Sequence, residues 1–304
     1  MNKSDICFIR AKLKDDYVYD GIRKAGFDIH IPYTDFNLSL RIMREIWFRL
    51  HLPRPDLWYN KDLKSVNAEV FIIKDPLMTT GLIDWVHKNH PNKRIILMYE
   101  NRAYNTINPD TIPEYVEKWH YDEDDCKQYS MKMEHANYFD IYRFEPNNQD
   151  TEYDVLYLGR DKGRLQQILQ YRELFENKGL STYFHICADR SFLTFKNSEY
   201  KPLISYNKYL ELLKKSKAIL NIVPQGQKSV TQREMEAVFD QKKCITNNLG
   251  ILDFELYDPS RYFLIGKDDM NNLHDFIYSD FKSVEEKKLE EYRFETAVQE
   301  VVEG

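Results

Sequence analysis

An arginine in the first turn of a helix opposes the positive end of the helix dipole, at a cost of roughly 0.3–1 kcal/mol. Arg233 takes that position, because Thr231 lies three residues before Glu234. At this spacing each side chain satisfies a free backbone N–H at a helix start, and Val230 with Met235 flanks the box as a hydrophobic staple. An anion held at that helix end would remove the conflict at Arg233. The polar loop before it, residues 224–229, brings Gly226 and Ser229 to the same place. A second cluster, Gly159-Arg160-Asp161-Lys162-Gly163-Arg164, combines glycines that admit a close ligand with cations beside another helix start. Both patterns suit a phosphate, and a solvated loop is the alternative for the second.

Carboxylates form the other set. Asp75 and Glu100 each follow an apolar run, residues 69–73 and 94–99. Groups just past the carboxyl ends of strands in an open α/β sheet are where ligands bind, so both are candidates for a catalytic base. For Asp75, before Pro76, a plain turn aspartate is the competing reading. Asp122, Glu123, Asp124 and Asp125 invite a metal–diphosphate reading. Acids opening a helix are also what the dipole favours, and this capping reading is preferred, with no metal expected.

These residues need a scaffold, and the chain alternates strand and helix signals twice. In the first half, strands are expected at 6–9, 27–31, 69–73 and 94–99, with helices at 17–24 and 82–88. Residues 145–152 (EPNNQDTE) read as an exposed linker. The pattern then resumes with strands at 154–159, 182–186 and 219–223 and helices from Leu165 and Tyr209. The expected fold class is α/β with two Rossmann-like domains facing a cleft. The expected divisions are residues 1–148, residues 149–285, and a final helical stretch, 286–304, returning to the first domain. The stretch 38–53 places Leu40, Met43, Trp47 and Leu50 at helical spacing among Arg41, Arg44 and Arg49. It is either a core-packed surface helix or a basic, aromatic helix facing a lipid-linked or anionic acceptor.

Composition narrows the class. The 304 residues are 42% hydrophobic and 14% aromatic, enough for two cores. A net charge of −6 argues against a nucleic-acid-binding polycation. Cys7, Cys126, Cys187 and Cys244 show neither zinc spacing nor a disulfide framework. With no apolar run of about 18 residues, a cytoplasmic protein, peripheral at the inner face of the membrane at most, is the expectation.

The chain resembles the GT-B glycosyltransferases of bacterial capsule and lipopolysaccharide synthesis. Three places carry the resemblance: Trp119-His120-Tyr121-Asp122 with Asp125 and Tyr129; residues 157–164; and residues 226–248, above all Thr231-Gln232-Arg233-Glu234-Met235-Glu236-Ala237. It implies a donor-binding C-terminal domain in which Arg160 and Lys162 meet a diphosphate and Glu236 holds the ribose. Arg233, three residues earlier on the same helix face, would join the phosphate with Thr231. The implied ligands are a nucleotide-sugar, expected to be UDP-linked, and a glycan or lipid-linked acceptor, with no further cofactor. Lys228 departs from the glutamate common at that position in retaining enzymes. A non-catalytic glycan- or partner-binding subunit, or an enzyme acting on the free nucleotide-sugar, is the alternative.

Overall fold

The computed structural model describes residues 1–13, 15–74, 80–144, 151–189 and 197–304. They form two compact units, residues 1–135 with 295–304, and residues 136–294. The division thus falls before the segment 137–144, which the sequence reading placed in the first domain. Backbone pairing explains the shift. Tyr138 N–H donates to Tyr292 O, Phe294 N–H donates to Tyr138 O, and the Tyr138 ring stacks on Phe239.

The first unit holds a six-stranded sheet: β1 (Ile6–Ile9), β2 (Asp28–His30), β3 (Val70–Lys74), β4 (Arg94–Tyr99), β5 (Val116–His120) and β6 (Lys132–Met133). All pairs are parallel, in the order β2-β1-β3-β4-β5-β6. The chain leaves β1 on one side and returns on the other, which puts a topological switch between β1 and β3. Residues of β1 and β3 are buried throughout, as strands covered on both faces must be. The flanking helices are α1 (Tyr17–Lys24), α2 (Leu38–Arg49), α3 (Thr80–Asn89) and α4 (Glu123–Tyr129). Strands β5 and β6 were not expected. Short and half-polar, they owe their place to pairing, β5 on β4 and β6 on β5. Helix α2 packs on the core through Phe48, yet none of its residues is buried, and Met43 and the following Leu50 are exposed.

The second unit has five parallel strands: β7 (Tyr153–Arg160), β8 (Thr182–Cys187), β9 (Ser216–Asn221), β10 (Lys243–Thr246) and β11 (Tyr262–Leu264), ordered β11-β10-β9-β7-β8. Its helices are α5 (Leu165–Asn177), α6 (Tyr206–Lys214), α7 (Gln232–Phe239), α8 (Leu273–Tyr278) and α9 (Glu286–Glu291). Ile168 and Phe175 of α5 pack with Val155, Phe184 and Leu220 of the sheet, each such side chain contributing about 1.5–3 kcal/mol on burial. Strand β9 starts three residues earlier than expected, so Ile222 and Val223 lie past its end, at the switch between β9 and β7. The last helix, α10 (Phe294–Glu303), packs into the first unit from Glu295 onward, where Arg94 donates to the Val301 carbonyl (3.2 Å). Each unit is thus a parallel α/β, Rossmann-like sheet.

Candidate functional site

In the second unit the capping box closes as its spacing predicts. Glu234 N–H donates to Thr231 Oγ1 (3.4 Å) and Thr231 N–H to Glu234 Oε2 (2.7 Å). Glu234 also accepts from Asn221 Nδ2 and Thr246 Oγ1, both at 3.0 Å, and from Asn248 Nδ2 at 3.1 Å. Asn221 ends β9 and Thr246 ends β10, so one sealed carboxylate ties two strand ends to the start of α7. Burial pushes its pKa up, against the pull of these donors.

The loop ahead of α7 is pinned by side chains. Asn247 accepts from Val223 N–H (2.8 Å) and donates to Val223 O (3.1 Å), and Asn248 Nδ2 donates to Ser229 O (3.1 Å). Gly250 is needed here, since a Cβ would stand 2.2 Å from Lys228 O. Gly226 turns with φ +85°. Ser229 Oγ is buried and has no hydrogen-bond partner.

Arg233 and Glu236 do share one helix face, and they bind each other. Arg233 Nη1 donates to both Glu236 oxygens (2.9 and 2.7 Å), its guanidinium stacks 4.0 Å from the Tyr209 ring, and Nη2 reaches Leu158 O (3.4 Å) at the end of β7. Glu236 also accepts from Tyr206 (2.9 Å) and Tyr209 (2.5 Å) hydroxyls. Burial pulls the Arg233 pKa down, but the Glu236 charge and Tyr209 outweigh it, so the net shift is upward. The Glu236 side chain is 0% exposed and that of Arg233 23%. Of this pair, then, only the arginine reaches the surface. The ribose contact expected for Glu236 would require its four donor contacts to open.

Lys162 and Gly163 turn the chain after β7, both with positive φ, and Lys162 is exposed. Arg160 donates to the Ala188 (3.4 Å) and Asp189 carbonyls beyond β8. A Cβ on Gly159 would meet Tyr157 Oη at 3.4 Å. Arg164 Nη1 donates to Ile222 O (2.7 Å) across the switch, and α5 begins with no side-chain cap. The Arg164 and Arg233 bonds join the two cationic loops at one sheet end. Tyr206, Tyr209, Asn221 and Asn247 were not singled out from the sequence, whereas Arg164 belongs to the basic cluster that was. The only signals were a Tyr-x-x-Tyr pair on α6 and paired asparagines after β10.

In the first unit, Asp75 lies outside the described residues. Glu100 follows β4 and accepts from Arg10 Nε at both oxygens (3.1 Å), with Lys74 Nζ at 3.8 Å. Arg10 also pairs with Asp16, and Lys74 with Glu134 (4.0 Å). Beside this cluster a cavity of about 540 Å³ is lined by Arg10, Lys12, Tyr33, Arg44 and Phe48 among others. Asp122 caps α4, accepting from Asp125 N–H (3.2 Å), and Arg102 bridges Asp122 (2.9 Å) and Asp125 (3.0 Å), as a capping role requires. His120 is buried between Asp122 N–H on Nδ1 (2.8 Å) and Asn101 O on Nε2 (3.0 Å), a pairing that places its proton on Nε2. Cys7, Asp28 and His30 bring three possible metal donors within 4.8 Å. Burial, then the Asp28 charge, pushes the thiol pKa far up, which disfavours the thiolate a metal needs.

No protein-family model and no curated protein matches the sequence. A solved structure titled as a LacI-family transcription repressor from Corynebacterium glutamicum aligns over 81% of each chain at 8% identity, with a TM-score of 0.18 that carries no argument. The crystal structure of AviGT4, a glycosyltransferase involved in avilamycin A biosynthesis, covers 98% of this chain and 96% of its own at 14% identity and a TM-score of 0.59. The fold is therefore similar to that of a two-domain, Rossmann-like glycosyltransferase.

Proposed function

We propose that the chain is a glycosyltransferase that moves a sugar from a nucleotide-sugar, UDP-linked by preference, to a glycan or lipid-linked acceptor without a metal. The observation that carries this reading is the bracing of Arg233. A cation fixed by Glu236 and Tyr209, on a side chain that reaches the surface at the carboxyl end of a parallel sheet, is preorganised for negative charge. Lys162 and the uncapped start of α5 supply more positive potential at the same sheet end. The departing diphosphate would be stabilised there. Glu236 acts in this reading as the positioning group of Arg233. For an inverting route the base would come from Asp75 or Glu100. The likeness in fold to AviGT4 supports the same reaction class.

Binding and turnover of UDP-, GDP-, CDP- and dTDP-sugars, measured by calorimetry and by release of free nucleotide, tests this. Tight binding of one nucleotide series with slow hydrolysis is expected. Absence of binding to all four would sink the reading. Binding without turnover under any acceptor would favour a non-catalytic binding subunit, which the closed Arg233–Glu236 pair also suits.

A further inference from the structure

Helix α2 has two faces of different character. Its inner face is anchored: the Arg44 guanidinium lies 4.2 Å from the Tyr33 ring, Phe48 tilts against Tyr33 (5.5 Å) and stacks on Tyr59 (6.3 Å), and Trp47 meets Trp58 edge-on. Its outer face is aliphatic and open. Leu38, Ile42, Ile46 and Leu50, spaced by four, are 73%, 53%, 50% and 63% exposed, with Met43 beside them and Leu52 and Leu57 just beyond. A globular helix turns such a row inward. Here the row points to solvent while the aromatic residues hold the helix in place.

Charge and shape say what covers it. The chain carries a net −6, yet residues 38–54 contain Arg41, Arg44, Arg49 and Arg54 against Glu45 alone. Nearby Asp35 and Asp56 pair with Arg41 and Arg54. Arg49 lies by helical position beside Leu38 and Ile42, borders the cavity that Arg44 and Phe48 line, and forms no ion pair among the described residues, a place from which a long cation can snorkel to a phosphate. Protein interfaces centre on Trp, Tyr and Arg anchors set in pockets. This arc is convex, aliphatic and flanked by arginine, the pattern of a helix lying in a bilayer surface. No helix among the described residues is long and apolar enough to cross a membrane, so such a contact would be peripheral.

We infer that the outer face of α2 docks the protein on an anionic lipid surface, with Leu38, Ile42, Ile46 and Leu50 inserted at the headgroup boundary and Arg49 meeting lipid phosphate. The inference stands on α2 alone and does not require the transfer reaction. Flotation of the full chain with vesicles of equal parts phosphatidylglycerol and phosphatidylcholine tests it, beside pure phosphatidylcholine and both again at 0.5 M salt. Binding to the anionic vesicles is expected, weaker with phosphatidylcholine or salt. The double variant Ile42→Ser/Ile46→Ser should lose about tenfold or more in partitioning, and Arg49→Glu several-fold, with unchanged circular dichroism. Ile42 and Ile46 are each at least half exposed, so folding should survive. A chain that stays unbound to anionic vesicles, or variants that bind as well as the parent, would overturn the inference. So would a concentration-dependent dimer abolished by the double variant without vesicle binding, which would assign the face to a second copy. Nucleotide-sugar binding, measured without lipid, reports separately on the transferase reading.

Discussion

At the carboxyl ends of the two sheets, charge is managed in different ways. In the first unit, Arg10 answers to both Asp16 and Glu100, and Lys74 lies near both Glu100 and Glu134. In the second, Arg233 has Glu236 as its carboxylate partner, and two tyrosine hydroxyls seal that carboxylate from water. Redundant partners tolerate the loss of any one member. A sealed pair does not, because removing one partner strands a buried charge. The first arrangement suits a site that adapts to varied ligands, and the second one that presents a single cation in one geometry.

The largest expected effect comes from breaking the sealed pair. Glu236→Gln should cost about 3–5 kcal/mol in chemical denaturation and abolish nucleotide binding. Arg233→Met should cost nearly as much, while the double variant should recover much of the loss. Additive costs in that double-mutant cycle would mean the two residues are not a unit. Glu100→Gln should be milder, about 1.5–3 kcal/mol or less, since Arg10 keeps Asp16. An equal loss from Glu100→Gln and Glu236→Gln would erase the contrast between the two sheets. Gly250→Ala should cost about 1–3 kcal/mol by driving a methyl group into Lys228 O, and it should weaken nucleotide binding through the displaced loop.

A change of one pH unit has the smallest effect, and it appears as a slope. Asp240 is sealed beneath Tyr138, and burial pushes its pKa up to about 8, with the Glu236 charge adding to the rise. Its folded-state pKa exceeds the unfolded value, so the folded protein keeps a proton that the unfolded chain releases. Stability contributed by this group is therefore full below about pH 4 and falls as pH rises towards 8, by at most about 1.4 kcal/mol per pH unit. Asp240→Asn should flatten the urea midpoint between pH 5 and 8. Above pH 8 half-buried Lys242, with its pKa lowered to about 8 by desolvation, acts in the opposite sense.

Local signals were legible where the physics is local. The Thr231–Glu234 box, the Asp122 cap and the buried runs of β1 and β4 were each readable, because cap spacing and strand burial are written within a few residues. What the sequence hid was convergence. Tyr209 meets Glu236 across 27 residues, and Asn221, Thr246 and Asn248 meet at Glu234, because sheet order brings their strand ends together. Periodicity located α2 but could not say which face the rest of its unit covers, so both readings of it stayed open.

The amide clasps of Asn247 and Asn248 have a use in protein engineering. They hold both ends of the loop, at Val223 and at Ser229, through side chains that lie outside it. Residues 224–227 between those posts are thus free of ladder duties. A library that varies Gln225 and Gln227 while keeping Gly226, Lys228 and Gly250 would retune ligand choice on an unchanged sheet, as swapping a tool bit leaves the chuck alone.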